Sequence, residues 1–300
     1  MRACCVWQWL DANSNEFLLI DTAPIVWYSL NEMSHTLTLA LAQMDLALGD
    51  PARNLESVRT KIAEAKARGA DIVVLPELWS SAYDLEHAAA HASALDAGMF
   101  ATIANVAREN QIAIVGSLLE ARGGKTYNTA TLHDARGNRV GAYRKLHLVP
   151  MLDEDKFLAG GDDAPVFDAA FGKCALAVCY DLRFPELWRH YALAGARLVF
   201  IPAEWPQKRI AHWRALLPAR AIENQIFIAS CNRVGASKGE TFGGNSLIVS
   251  PWGEILAQGD EREALLIAQI DLDLVDDARA QVPVFRDRRA EVYAKWASEK

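Results

Sequence analysis

Short segments that are apolar apart from, at most, their first residue recur along the chain and alternate with longer segments of helical periodicity. Residues 71–75 (DIVVL), 174–178 (CALAV) and 197–201 (RLVFI) are strand-length runs dominated by Val, Ile, Leu and Ala. A strand without polar alternation needs both of its faces covered, by helices or by a second sheet. The chain is therefore predicted to be a layered α/β protein. No apolar run reaches the about 20 residues that a membrane-spanning helix requires.

Capping and turn signals locate several elements. Asp50-Pro51 supplies an N-cap and a first-turn proline for a helix that Gly69 ends, and a second helix is expected over about residues 91–110. Residues 127–134 and 139–144 are predicted to form two strands of a hairpin. Because hairpins occur between the helical units, the pattern favours two sheets packed together over a single doubly wound sheet.

One domain is predicted over residues 34–285, with no internal repeat and no low-complexity linker. Residues 1–33 are rich in Trp and Cys without clear periodicity, so we expect an N-terminal extension outside the folded domain. Residues 286–300 are charged with scattered aromatic side chains, and this C-terminal tail is expected to pack on the body or on a partner subunit.

Composition excludes several classes of function. The net charge is −7 and no basic block interrupts it, so neither nucleic acid nor an anionic membrane is expected as a partner. The five cysteines show neither a disulfide framework nor C-x-x-C spacing, and the seven histidines show no H-E-x-x-H motif. We therefore expect a cytoplasmic protein without a metal or an organic cofactor.

Cys179 follows the apolar run 174–178 and opens the polar, turn-like segment 180–186 (YDLRFPE). A thiol carried on a buried strand to a strand-to-helix turn is how an enzyme holds a nucleophile, and the free N–H groups of such a turn suit an oxyanion. The alternative is a core cysteine. Cys174 and Cys231, which lie within apolar strands, are expected to be core residues of this kind.

Two further polar side chains follow apolar strands. Glu77, in LPELW, comes directly after residues 71–75, where an apolar approach and the neighbouring Trp79 favour the raised pKa of a general base. Lys145, in YRKLHL, lies at the end of the strand over residues 139–144 and would supply a fixed cation beside a thiolate. His147 competes with it, since Cys/His pairs are the commoner way to activate sulfur.

Together these three segments resemble the carbon–nitrogen hydrolase (nitrilase) superfamily, over about residues 36–293. The match includes AVCYDLRFPEL around Cys179 and the later segments ARAIENQ at 219–225, CNRVG at 231–235 and PWGE at 251–254. The resemblance implies a four-layer αββα sandwich, two packed mixed β-sheets flanked by helices, in which subunits usually pair. It therefore implies a homodimer or a higher homo-oligomer.

The resemblance also implies roles. Glu77 would be the base, Cys179 the nucleophile, and Lys145 with the backbone N–H of Tyr180 would hold the oxyanion of a thioester-forming amide hydrolysis. A second glutamate is expected between the lysine and the cysteine. Glu154 fits the spacing to Gly161-Asp162, although a register counted from Gly160 would select Asp153 instead.

The segment CYDLRFPE is similar to the branch that contains ω-amidases, which release ammonia from short 2-oxo acid ω-amides. Arg183 would then bind a distal carboxylate, unless it forms an ion pair with Glu186 or Asp181. Tyr83 and Trp205 are candidate walls of the substrate pocket, or core aromatics.

Three other functions stay open at this stage. The chain could be a nitrilase or an N-carbamoyl amide hydrolase of the same superfamily, although Tyr180 stands where nitrilases favour Trp. It could be a catalytically silent member that binds an acyl compound or another protein. It could be a Cys/His protease using His147, His190 or His212, although it lacks the glycines and tryptophan that flank papain-like sites.

Overall fold

The structure, a computed structural model, describes residues 36–298, and the expected extension over residues 1–33 lies outside the described residues. The strands are β1 (Thr36–Gln43), β2 (Ile72–Val74), β3 (Ala113–Arg122), β4 (Lys125–His133), β5 (Arg139–Arg144), β6 (Val166–Ala169), β7 (Gly172–Leu176), β8 (Leu198–Ala203), β9 (Phe227–Asn232), β10 (Val234–Ser237), β11 (Glu240–Gly243), β12 (Leu247–Val249), β13 (Ile255–Gln258) and β14 (Ala264–Asp271). The helices are α1 (Pro51–Ala67), α2 (Ala88–His91), α3 (Gly98–Asn110), α4 (Glu154–Phe157), α5 (Pro185–Leu193), α6 (Ile210–Asn224), α7 (Leu274–Gln281) and α8 (Ala290–Ser298).

Two six-stranded mixed sheets form the body of the protein. The first has the order β14-β1-β2-β3-β4-β5 and the second the order β13-β12-β9-β8-β7-β6. In each sheet three adjacent strands are parallel, namely β1-β2-β3 and β7-β8-β9, and the outer strands pair antiparallel. The two sheets therefore share the same order of parallel and antiparallel strand pairs.

The sheets pack against each other and carry helices on their outer faces. Leu39 and Val74 of the first sheet share one core with Leu176 and Phe200 of the second. Helices α1 and α3 cover the far side of the first sheet with side chains such as Val58 and Phe100, and α5 and α6 cover the second with Trp188, Tyr191, Trp213 and Leu217. The layers are thus αββα, which confirms the expected sandwich.

Local signals in the sequence account for the best-predicted elements. The Asp50 side chain accepts a hydrogen bond from the N–H of Arg53 and caps α1 as expected. The helix expected over residues 91–110 was predicted wrongly at its start, because the chain near Ser93 is extended. Ser93 exchanges backbone hydrogen bonds with Leu119 and Ala121 at the edge of the first sheet, and α3 begins only at Gly98.

The C-terminal region contains two helices that were not predicted, α7 and α8. Phe285, between them, lies under the guanidinium groups of Arg189 and Arg279, each 5.2 Å from its ring centre. Tyr293 and Trp296 on α8 remain exposed. The packing of residues 286–300 on a partner subunit stays a prediction. Between residues 36 and 298 the structure has no helix whose length and apolar content would let it cross a membrane.

Candidate active site

Glu77 lies at the carboxyl end of β2, two residues beyond the core residue Leu75, and is fully buried. Its Oε1 accepts hydrogen bonds from Lys145 Nζ (2.8 Å), Asn128 Nδ2 (2.8 Å) and the Tyr83 hydroxyl (3.1 Å). Its Oε2 accepts the backbone N–H of Glu204 at 3.0 Å. Groups from four segments therefore fix the position of this carboxylate, and the single hydroxyl proton of Tyr83 is shared between Glu77 and Glu154.

Lys145 follows β5 directly, and its ammonium group lies between two buried carboxylates. The Nζ atom is 2.8 Å from Glu77 Oε1 and 2.6 Å from Glu154 Oε1, and none of the three side chains is exposed. Burial alone would lower the pKa of Lys145, but the charges of Glu154 and Glu77 raise it above its ordinary value. The lysine is therefore a permanent cation in the site.

Glu154, the first residue of α4, is the second acid of the cluster. Its Oε2 accepts the backbone N–H of Val149 at 2.8 Å, and its Oε1 accepts the Tyr83 hydroxyl as well as Lys145. Burial raises the pKa of Glu154, against the pull of Lys145. Asp153, the competing candidate, points outward to Lys156 at 2.9 Å with more than half of its side chain exposed. The geometry therefore favours Glu154 over Asp153.

Cys179 opens a 3₁₀ turn over Cys179–Arg183, three residues after β7 ends at Leu176. Its φ of 44° is left-handed, a conformation that non-glycine residues adopt mainly where a function requires it. The thiol lies close enough to Glu77 and Lys145 for their charges to act on it. Burial and the charge of Glu77 raise its pKa well above the ordinary value, while Lys145 opposes the shift.

The other thiols of the described region are core residues, as expected. Cys174 and Cys231 are fully buried and free, and burial raises the pKa of Cys174 to about 12.

Asp181, which the sequence suggested only as an ion-pair partner of Arg183, holds the turn that carries Cys179 in place. Its Oδ2 accepts from the Tyr143 hydroxyl (2.8 Å) and the N–H of Val178 (2.9 Å). Its Oδ1 accepts from the N–H of His147 (3.1 Å) and bonds to the His147 ring Nδ1 (2.8 Å). This fully buried carboxylate ties the end of β5 to the turn that carries Cys179.

His147 therefore helps to hold the turn that carries Cys179, through Asp181, and is not paired with the thiol. Its ring also stacks on Phe184, with centroids 3.5 Å apart. His190 bonds to the carbonyl of Ala164, and His212 bonds to Arg183. The partners of these rings do not support the Cys/His protease.

The three residues expected to bind substrate have different surroundings. Tyr83 belongs to the acid cluster, because its hydroxyl contacts both glutamates and Lys145. Arg183 lies with its guanidinium 4.5 Å from the centre of the Trp205 ring and 3.2 Å from His212 Nδ1. The expected ion pair of Arg183 with Asp181 is not formed, because other donors occupy that carboxylate, and its pairing with Glu186 is not among the ion pairs of residues 36–298.

Two adjoining cavities open onto this cluster. The inner one is lined by Cys179, Tyr180, Arg183, Trp205 and Arg209, among others. The outer one has a volume of about 260 Å³. Both are lined by the same three residues at their junction: Leu152, Glu204 and Pro206.

Glu204 is a further buried acid of the site, and it was not predicted from the sequence. Its Oε2 pairs with Arg233 Nη1 at 2.9 Å, and both side chains are fully buried. Burial raises the pKa of Glu204 to about 7, with Arg233 acting in the opposite direction. The signal available in the sequence was the charged residue directly after the apolar strand β8, the same signal that identified Glu77.

Two histidines elsewhere in the fold share one acid. His87 and His91 are four residues apart, a spacing that metal sites on helices also use. Both rings bond to Asp84, at 3.0 and 2.9 Å. Within residues 36–298 no group of three or more His, Cys, Asp or Glu side chains is arranged to hold a metal ion.

An αββα sandwich with a buried thiol, two carboxyls and an ammonium group defines an enzyme class that hydrolyses carbon–nitrogen bonds other than peptide bonds. A family model described as carbon-nitrogen hydrolase matches residues 38–280. The chain belongs to the carbon–nitrogen hydrolase family.

Characterised relatives lie within that family. The chain is 38% identical to the 2-oxoglutaramate amidase of Bacillus subtilis over 257 residues, 85% of this chain and 99% of that protein. It is 34% identical to omega-amidase NIT2 of Homo sapiens over 266 residues, 85% of this chain and 96% of that one. An amidase from Nesterenkonia sp. AN1, solved with the acetamide moiety of fluoroacetamide added covalently at its active-site cysteine, superposes with a TM-score of 0.78. It shares 31% identity, covering 88% of this chain and 97% of its own.

Proposed function

We propose that the protein is an ω-amidase-like hydrolase that releases ammonia from a short 2-oxo acid ω-amide through a thioester on Cys179. The observation that supports this most is the convergence of Glu77, Lys145 and Cys179, three residues from distant stretches of chain, in one buried cluster beside a cavity. The covalent adduct at the cysteine of the Nesterenkonia amidase is consistent with the same nucleophile.

In the first half-reaction Glu77 takes the thiol proton while the sulfur of Cys179 attacks the amide carbon. The carbonyl oxygen becomes an oxyanion, which Lys145 and the backbone N–H of Tyr180 stabilise. Tyr180 is the second residue of its turn, so its N–H has no acceptor within that turn. Glu77 then gives its proton to the nitrogen, the C–N bond breaks, and ammonia leaves behind a thioester.

In the second half-reaction Glu77 accepts a proton from water as the water attacks the thioester carbon. The C–S bond breaks, the carboxylic acid is released, and the proton returns to the sulfur. Glu154 and Tyr83 hold Glu77 and Lys145 in position throughout the reaction, since both bind the ammonium group of Lys145. A fixed cation beside the thiol also offsets the cost of forming a buried thiolate.

The pair of cavities suits a substrate with a distal carboxylate, because the outer one, of about 260 Å³, has room for its chain and two arginines surround the inner one, of about 20 Å³. Arg183 and Arg209 both line it, and Trp205 forms a flat wall under the Arg183 guanidinium. A guanidinium binds a carboxylate through two parallel hydrogen bonds. The names of the Bacillus and human relatives point to the same substrate class.

Ammonia release and mass spectrometry test the proposal together. We expect ammonia from α-ketoglutaramate and succinamate, and an acyl adduct on Cys179 that is absent from Cys179→Ala. Arg183→Met should raise KM for succinamate at least tenfold and leave butyramide, which lacks the carboxylate, nearly unchanged. Turnover of nitriles or N-carbamoyl compounds with none of ω-amides would refute the substrate. An enzyme without turnover or adduct would be the silent binding protein.

We also propose a cytoplasmic homodimer. Large apolar side chains remain exposed near one another on the second sheet and its helices, at Ile222, Trp252 and Ile255. Such a patch is typical of a subunit interface. The free thiols Cys174 and Cys231 are compatible with a reducing compartment. Light scattering after size exclusion should give about twice 33.0 kDa, and Ile222→Glu should give monomer; a wild-type monomer would contradict the dimer.

A further inference from the structure

Glu204 occupies the junction of the two cavities, and half of its carboxylate is unsatisfied. The residue is 1% exposed. Its Oε2 pairs with Arg233, whereas Oε1 is buried and has no hydrogen-bond donor among the described residues. A buried carboxylate oxygen without a donor carries a large desolvation cost, so an arriving N–H group would be bound there favourably.

The position of that free oxygen is fixed from behind. Arg233 donates to the carbonyl of Leu46 at 2.7 Å and to Asp45 at 3.2 Å, and its guanidinium lies 4.4 Å from the ring centre of Phe242. Because these three contacts hold Arg233, its guanidinium cannot move together with the Glu204 side chain. The Glu204 side chain is therefore anchored through Oε2.

Glu204 is also adjacent to the proton-transfer group. Its own backbone N–H donates to Glu77 Oε2, and it lines the same inner cavity as Cys179. An amide bound over the sulfur would present its oxygen to Lys145 and its nitrogen to the Oε2 side of Glu77, the oxygen that accepts the Glu204 N–H and would deliver the proton. Glu204 flanks that side.

Building on the proposed function, we propose that Glu204 is a further substrate-binding residue whose Oε1 accepts an N–H of the carboxamide group. It would select primary amides over esters, which have no N–H to donate. As the nitrogen takes up the proton from Glu77 its N–H groups become stronger donors, so the contact strengthens towards the transition state and assists departure of ammonia.

The variant Glu204→Gln tests this contact with a substrate pair. Arg233 donates to whichever side-chain oxygen it meets, so it turns the glutamine oxygen towards itself and leaves the NH2 group at the Oε1 position. A donor then faces the amide N–H. We expect kcat/KM for succinamate to fall about 10- to 100-fold, and kcat/KM for monomethyl succinate, which keeps the distal carboxylate, to change less than threefold.

A merely structural role gives another result. If Glu204 only supports Glu77, amide and ester hydrolysis fall together, and the inference is overturned. Asp45→Asn is the matched control, since it alters the other partner of Arg233 away from the cavities and should leave the amide-to-ester ratio unchanged.

Should Glu204→Gln fail to fold, Glu204→Asp keeps the charge for Arg233 and withdraws the acceptor by one methylene. The amide-to-ester ratio should then fall, and an unchanged ratio refutes the contact. The proposed function fails separately, if the wild-type enzyme neither releases ammonia nor forms the thioester.

Discussion

Replacing Asp181 with Asn should weaken both the fold and the site, although the two side chains have nearly the same shape. Asp181 accepts four hydrogen bonds, two at each oxygen. Asparagine offers one oxygen and one NH2 group, so one pair of donors must face another donor. The Tyr143 hydroxyl and the His147 ring can turn to accept, but the backbone N–H groups of Val178 and His147 cannot.

The magnitude follows from that count. In either orientation of the amide one buried backbone N–H loses its acceptor, which costs about 1–3 kcal/mol. The remaining bonds lose the assistance of the negative charge, worth about 1 kcal/mol more. We expect a loss of about 2–4 kcal/mol in the free energy of unfolding, or roughly 3–6 °C in melting temperature.

Activity should fall further than stability alone would require. Val178, whose N–H is one of the two that can lose its acceptor, directly precedes Cys179, and a shift of 1 Å in a reacting atom costs on the order of 100-fold in rate. Urea unfolding and kcat/KM for succinamate, both measured at 25 °C, check the two expectations. Asp168→Asn is the control, an exposed acid paired only with Lys173. An Asp181→Asn enzyme with wild-type stability and rate would refute the reasoning.

Three further predictions concern charge and pH. Lys145→Met leaves Glu77 and Glu154 without their shared cation, so we expect a loss of about 3–5 kcal/mol in stability and at least about 100-fold in kcat, whereas retained activity would exclude the oxyanion role. His147→Ala should cost less than tenfold in kcat and about 1 kcal/mol in stability; complete inactivity would revive the Cys/His pair. Burial lowers the pKa of His133 from 6.5 to about 4, so the protein should lose up to about 3 kcal/mol between pH 6.5 and pH 4, where only the unfolded chain takes up that proton. His133→Gln should flatten this slope in urea titrations at pH 7 and pH 5, and an unchanged slope would contradict the assignment.

The reacting residues could be predicted because each follows an apolar strand in the sequence. Glu77, Lys145 and Cys179 all stand at such a transition, the first two at strand ends of one sheet and Cys179 after a strand of the sheet packed against it. The helix α1 was predicted from its Asp50 cap and its first-turn proline, Pro51. Local patterns were sufficient for these features.

The supporting residues could not be predicted, because their partners are remote in sequence. Asp181 meets Tyr143 from 38 residues away, and Glu204 meets Arg233 from 29 residues away. The left-handed backbone at Cys179 has no sequence signature, since the residue is not glycine. The hairpin of β10 and β11 was not predicted, because its strands are four residues long and contain few β-branched or aromatic residues.

The site is divided between the two sheets, with Glu77 and Lys145 on the first and Cys179 and Glu204 on the second. A folding intermediate that has formed its helices and strands, but in which the two sheets have not yet packed against each other, therefore has no assembled active site. Enzyme activity should therefore appear last in refolding and vanish first on heating, ahead of any change in far-ultraviolet circular dichroism. Measuring turnover thus reports whether the two sheets are packed against each other.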